Sequence, residues 1–260
     1  MNLNQSYLIQ TKELVQAWTM RIIRGRYQQS TLGWLWAIAQ PVASVLILTI
    51  IFTRFVPIDT GTIPYPVFSY VAVVPWTFFA NSLTDMTSSL ISNMDLMTKI
   101  YFPREVLPIS AMLARLMDFG IAYLILLVLM FIYRIPVNFS ALMFLPLVLA
   151  IQIILITGLG LALSAANVFF RDVGSVLGLV MSLWFYASPI IYPITTIPEQ
   201  YRSLYFLNPM AGILEAYRDI LINGQIPGAY MIPAIVISLV LLAFGYWFFK
   251  RVEFLFADIV

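Results

Sequence analysis

Residues 135–170, IPVNFSALMFLPLVLAIQIILITGLGLALSAANVFF, contain no Asp, Glu, Lys or Arg. A helix rises about 1.5 Å per residue and the hydrocarbon core of a bilayer is about 30 Å thick, so roughly 20 apolar residues suffice to cross it. A stretch of this kind points to an all-α integral membrane protein. Working outward, further charge-free stretches run 27–53, 60–84, 119–133, 173–198 and 220–249. Trimmed by composition, they predict six transmembrane helices near 33–55, 65–84, 107–132, 142–166, 173–193 and 230–249. The chain then reads as one transmembrane domain over 1–260, with a cytoplasmic interfacial segment 1–32, a six-span core 33–249 and a cytoplasmic tail 250–260. The third span reaches crossing length only by including Arg115 and Asp118. At i, i+3 these share a helix face and can neutralise each other as a structural pair, and Arg171 with Asp172 is expected to pair in the turn after the fourth span.

Composition sets the exclusions. Of 260 residues 62% are hydrophobic and 10% charged, against about 25% charged in a soluble domain. A net charge of +2 with dispersed basic residues argues against a nucleic-acid partner. With neither Cys nor His in the sequence, thiolate and imidazole chemistry and the usual zinc and haem ligands are absent, so no metal site is expected. There is no Walker-type phosphate loop, so ATP is not expected on this chain. The first residues lack the basic-then-apolar layout of a cleavable signal peptide. An enzyme built on this sequence would have to use Asp85, Asp95 or Asp118 as general acid or base, which leaves a membrane enzyme acting on lipid-linked sugars as an alternative.

Lys and Arg collect on the cytoplasmic side of short loops. Lys12, Arg21, Arg24, Arg26, Lys99, Arg104, Arg171, Lys250 and Arg251 fall on the side of the termini, against Arg54, Arg134, Arg202 and Arg218 on the other. Both termini are predicted cytoplasmic. Gly158, Ala162 and Ala166 in the fourth span repeat at the spacing that lets helix backbones approach closely.

Three segments are not ordinary spans. Leu14, Val15, Trp18 and Ile22 lie on one side of a helical wheel with Lys12, Glu13, Arg24 and Arg26 outside it, predicting an interfacial amphipathic helix whose arginines meet lipid phosphate. In the loop after span two, Leu90, Met94, Met97 and Tyr101 share a face beside Lys99 and Arg104, and Pro103 ends the helix. This adaptable stripe suits either a soluble partner or the protein's own spans. After span five, residues 194–228 stay apolar without spanning. Asn208 and Pro209 give a helix start, Ile213, Leu214, Tyr217, Ile220 and Leu221 a stripe, and Asn223-Gly224 a stop, with Glu215 free to pair with Arg218 or Asp219. Two short helices dipping into the outer leaflet are expected there, with Pro189 and Pro193 breaking the fifth span just before them. Interface belts account for many aromatics, among them Trp34, Trp36, Trp76 and Trp247. Tyr70, Trp184, Phe185, Tyr186 and Tyr192 are candidates to line a pore with flat faces for sugar rings.

Four stretches, RGRYQQSTLGWLWAIAQP (Arg24 to Pro41), TKIYFPREVLP, NVFFRDV (Asn167 to Val173) and SPIIYP followed by LNPMAGILEAYRDIL (Leu207 to Leu221), occur in order along the chain. In this the sequence resembles the membrane subunits of type-2 ABC exporters that move O-antigen, capsule or teichoic acid polymers across the bacterial inner membrane. The resemblance implies a permease working as a homodimer with two ATP-binding cassette subunits, with ATP and magnesium held by those partners and no cofactor on this chain. It implies that Leu90, Met94, Met97, Lys99, Tyr101 and Arg104 belong to a cytoplasmic coupling helix. Trp18, Arg24, Arg26, Tyr27 and Trp34 would lie where a lipid-linked glycan enters from the membrane lipids. Asn208, Pro209, Glu215, Tyr217 and Arg218 would belong to an external gate. The family often has Asn-Pro at the start of span one, where this sequence has Gln40-Pro41. An exporter of small molecules would share all of these features and differ in pore lining.

Overall fold

The computed structural model of the chain describes residues 3–28, 35–55, 57–61, 63–99 and 102–257, and every regular element among them is helical. In chain order the α-helices are α1 (Leu3–Gln28), α2 (Leu35–Ile50), α3 (Tyr65–Ser89), α4 (Met94–Lys99), α5 (Val106–Ile132), α6 (Phe139–Leu142), α7 (Leu145–Phe169), α8 (Val173–Tyr186), α9 (Glu199–Tyr205), α10 (Pro209–Arg218) and α11 (Met231–Val252). Among the described residues five segments are long and apolar enough to cross a membrane: Ile38–Phe55, Tyr65–Ser89, Val106–Ile132, Phe139–Phe169 and Met231–Phe256. The predicted fifth span, 173–193, is realised differently. Its helix α8 holds 14 residues, which is roughly 21 Å of rise, and it ends at Tyr186, ahead of Ser188-Pro189. Proline disfavours helical backbone in the residue before it and cannot donate to the helix ladder.

The helix α3 forms the centre of the bundle. Val67, Tyr70, Val71, Ala72, Phe79, Leu83 and Met86 along it are fully buried, and its exposed positions, Thr84 and Ser88, fall in its last two turns. It packs between α5, α7 and α2. The helices α7 and α11 meet at glycine on glycine: a Cβ added to Gly245 would stand 2.0 Å from the Gly158 carbonyl oxygen, and one added to Gly158 would stand 2.5 Å from the Leu241 backbone. The close approach predicted at Gly158 is therefore present. Ala166 instead lines an apolar cavity with Val173, Leu177 and Val180 of α8, so the four-residue spacing does not continue as a helix contact. The helices α2 and α8 are lightly embedded, with Pro41 and Val45 buried on one and Leu177 and Met181 on the other.

Two expectations are corrected at the end of the bundle that carries the termini. Leu14, Val15, Trp18 and Ile22 of α1 are half-buried, and the helix docks on α5, where the Ser110 hydroxyl donates to the Val15 carbonyl at 3.3 Å and Trp18 stacks on Phe102 at 6.4 Å. The apolar face of α1 is thus partly covered by the chain itself. The stripe after span two also turns inward. Leu90 and Met97 are buried in a second apolar cluster with Leu107, Leu161, Phe249 and Phe256, against which Met94 packs. The exposed side of the same segment is Ser88, Ser92, Asp95 and Lys99. Tyr101 and Trp34 lie outside the described residues, as does the side chain of Tyr27. Arg104 stacks over Phe256 at 5.7 Å. Lys250, at the end of α11, bridges Glu105 at 2.9 Å and Glu253 at 3.1 Å, tying that end of α11 to the start of α5.

Candidate functional site

A helix that stops inside an apolar body leaves its last carbonyls without partners, and each unsatisfied buried polar group costs about 1–3 kcal/mol. Residues 188–191, after α8, are buried; the Ser188 carbonyl accepts from the Ile190 N–H at 2.8 Å, and the Ile190 and Ile191 carbonyls, with those of the flanking Ala187 and Tyr192, accept from side chains elsewhere. The Arg218 guanidinium donates through Nη2 to the Ile190 carbonyl at 3.0 Å and through Nη1 toward the Tyr192 carbonyl at 3.5 Å. The Tyr65 hydroxyl donates to the Ile191 carbonyl at 3.1 Å, and Asn208 Nδ2 to the Ala187 carbonyl at 3.3 Å and the Ser188 hydroxyl at 3.0 Å. The Tyr192 hydroxyl closes back on the Tyr186 carbonyl at 3.1 Å. Arg218 is 3% exposed and lies over the Phe68 ring of α3 at 3.9 Å. Its distance to Glu215 is 3.6 Å, longer than its bond to Ile190. The expected local pairing with Glu215 is therefore secondary, and the chief contacts of Arg218 are backbone carbonyls.

The helix α10 is built for this position. Asn208 caps it, its Oδ1 accepting from the Met210 N–H at 3.1 Å and from Trp184 Nε1 at 2.8 Å, and Pro209 fills the first turn. The predicted apolar stripe Ile213, Leu214, Tyr217, Ile220 and Leu221 is buried throughout. Past Arg218 the chain makes one wide turn over Asp219–Asn223 and stops at Gly224, whose φ of 62° is the left-handed conformation that glycine adopts without cost. Tyr217 donates to Gln152 Oε1 at 2.9 Å, while Gln152 Nε2 donates to the Pro75 carbonyl at 2.7 Å. One buried amide thereby joins α10, α7 and α3. Gln152 was not a predicted site residue. Its signal was an amide near the middle of the longest charge-free stretch, where an unpartnered polar group is costly.

At the other end of the bundle four charges meet. Arg26 of α1 reaches Asp85 of α3 and Asp118 of α5 at 2.7 Å each; Arg115 of α5 reaches Asp85 at 2.6 Å and Asp118 at 3.2 Å. The predicted Arg115–Asp118 pair is real but is one edge of a closed ring of two cations and two carboxylates. Arg26, expected to face lipid phosphate, instead turns into this ring, where its planar guanidinium donates to two carboxylates at once. Arg24 remains exposed. Arg171 and Asp172 are both exposed and, among the described residues, form no ion pair; adjacent residues do not face each other on a turn entering a helix.

The pore-lining candidates separate. Tyr70 is fully buried in the core of its own chain and does not line an opening. Trp184 and Phe185 pack edge-on against Trp76, at 6.5 and 5.8 Å, and Trp76 is itself 6% exposed instead of lying in an interface belt. Tyr192 bonds to Tyr205 at 3.0 Å beside the broken end of α8. Tyr186 alone of the five is an exposed surface residue, at 67%. Among the described residues no group of three or more His, Cys, Asp or Glu is placed to hold a metal ion.

Comparison with known proteins places this geometry in a family. A family model described as ABC-2 type transporter matches residues 13–222, a range that contains both polar sites. An O-antigen export system permease protein RfbA of Klebsiella pneumoniae is 30% identical over 260 residues, covering 100% of this chain and 98% of the relative. A protein of the same name from Myxococcus xanthus is 34% identical over 239 residues, 90% of each. The polysialic acid transport protein KpsM of Escherichia coli is 30% identical over 219 residues, 83% of each. With the family pattern matched over most of its length and this level of identity end to end, the chain belongs to the ABC-2 type transporter family.

Proposed function

We propose that this chain is the membrane permease subunit of an ATP-driven exporter that carries a lipid-linked polysaccharide across the bacterial inner membrane. The observation that carries this reading is the end-to-end similarity to a permease named for O-antigen export, 100% of this chain against 98% of the relative. ATP and magnesium belong to two separate ATP-binding cassette subunits, and two copies of this chain form the pathway. The exposed apolar residues of α2, such as Leu46, Ile47 and Ile50, and of α8, such as Leu179 and Leu183, support assembly with a second copy.

In this reading the chain crosses six times with both termini cytoplasmic. The fifth crossing is made by α8 together with segment 187–193, buried at 188–191, which is irregular backbone of the sort a membrane tolerates only when protein satisfies its polar groups. The short helices α9 and α10 then form the external gate, held in the outer leaflet. On the cytoplasmic side the ATPase contact falls on Ser92, Asp95 and Lys99, while Leu90 and Met97 anchor the same segment to the core. The helix α3 links the ends: it continues from Leu90 through a tight turn into α4, carries Asp85 in the charge ring, and presents Tyr65 and Phe68 to the broken span. A push on α4 is thereby delivered to both sites by one rigid element, and ATP binding acts by favouring one of two arrangements of it. Deleting the gene should abolish surface polysaccharide, and the purified chain should bring down an ATP-binding subunit. Normal surface polymer in the deletion strain would overturn the reading.

A further inference from the structure

Beside the broken end of span five lies a cleft of about 340 Å³, walled on one side by Glu215 and Arg218 of α10. Asp59, Thr60, Thr195, Glu215, Arg218 and Asn223 supply its polar lining, and it opens at the end of the bundle opposite the termini, between the segment after α2, the segment after α8 and α10. Its size is at the low end of small-ligand sites, roughly 300–1,000 Å³. Two of its buried groups have hydrogen-bonding capacity left over: Glu215 Oε2, on a side chain 13% exposed, and Arg218 Nε, on one 3% exposed, have no hydrogen-bond partner. Buried polar atoms of this kind call for an explanation, since more than about nine in ten are paired.

The lining discriminates among ligands. Two carboxylates, Asp59 and Glu215, oppose a phosphate or other anion, and the Arg218 guanidinium opposes a metal cation. A ligand whose every group both donates and accepts fits all of them. Asp59 is held ready by accepting from the Gly61 N–H at 2.8 Å, and the Thr60 hydroxyl, which donates to the Ile63 carbonyl at 2.7 Å, keeps its lone pairs to accept. We infer that this cleft is a saccharide subsite, in which Asp59 and Glu215 accept hydrogen bonds from neighbouring ring hydroxyls while Arg218, Asn223 and Thr195 donate to ring oxygens. It rests on the reading of the chain as a polysaccharide permease and adds to it a hold on the emerging polymer next to the gate helix. Arg218 then serves two ends, its Nη groups holding the carbonyls of span five while its side chain forms part of the cleft wall, so that occupancy of the cleft is felt by the broken span.

The test uses the full-length chain in nanodiscs and, as probe, repeat-unit oligosaccharide released by mild acid from the surface polysaccharide of the producing strain. Binding is read by saturation-transfer difference NMR, with inorganic phosphate as a second probe. Wild-type protein should transfer saturation to the sugar protons. Thr195→Phe, which fills the cleft from an exposed position without touching the charged pair, and Asp59→Asn should each weaken binding roughly tenfold, the scale of one charge-assisted hydrogen bond. Equal binding by wild type and Thr195→Phe, no oligosaccharide binding at all, or displacement of the sugar by phosphate would overturn the inference; the second result would make the cleft a hydrated crevice. Surface polymer in the same strains separates the two readings. Its independence from this gene defeats the exporter assignment, whereas gene-dependent export with no cleft-dependent saturation transfer defeats only the subsite.

Discussion

The two ends of the bundle handle charge in opposite ways. Near the termini, Arg26, Asp85, Arg115 and Asp118 neutralise one another across three helices, with side chains 16–24% exposed. At the far end Arg218, 3% exposed, is directed chiefly at neutral backbone. A ring of two cations and two anions can lose one member and keep partial compensation. A single guanidinium closing a broken span cannot. The difference teaches that an ionisable residue in a membrane protein need not mark ion passage or proton relay; it can be the price of irregular backbone at membrane depth.

Substitutions at the two ends should separate these cases. Arg218→Met leaves the Ile190 and Tyr192 carbonyls without their donor and removes the cation 3.6 Å from the largely buried Glu215, so a loss of about 3–5 kcal/mol is expected. Thermal unfolding of the purified chain should show a large drop, with Arg218→Lys recovering part of it. The glycine contact between α7 and α11 belongs to neither end and serves as a packing control. Gly245→Val should cost about 1–3 kcal/mol or more, because the obstacle is the backbone at Gly158 and not a mobile side chain. In the charge ring Arg26→Ala should cost less than Arg218→Met, about 1–2 kcal/mol, since water reaches its partners. A double-mutant cycle pairing Arg26→Ala with Asp85→Asn should show coupling between them, as residues sharing a network do. Lys99→Glu on the exposed side of α4 should change stability by less than about 0.5 kcal/mol while reducing copurification of the ATP-binding subunit. Met97→Asp should destabilise the chain itself.

What could be read from the sequence followed from local signals. Charge-free length marked the long spans, and Asn208-Pro209 with Asn223-Gly224 bounded α10 and the wide turn after it, because caps and stops act over a few residues. The inward turn of Arg26 could not be read, since its partners lie 59 and 92 residues away. The stripe of Leu90 and Met97 has the same period whether it meets a partner or its own chain, and only packing decides between them. The fifth span looked like a full crossing because residues 187–193 are as apolar as a helix. They can be so because Arg218, Asn208 and Tyr65, all remote in sequence, satisfy their carbonyls. Gln152 showed itself as an oddity in a charge-free stretch, but its bridge between Tyr217 and Pro75 is visible only in three dimensions.

The central claim, that this chain is the permease half of an ATP-driven polysaccharide exporter, is tested most directly with inverted membrane vesicles holding the chain and its ATP-binding partner. The account predicts ATP-dependent accumulation of lipid-linked polymer inside the vesicles, absent without either subunit and lost in Arg218→Met. Polymer translocation or chemical turnover by the chain alone, without ATP, would contradict it.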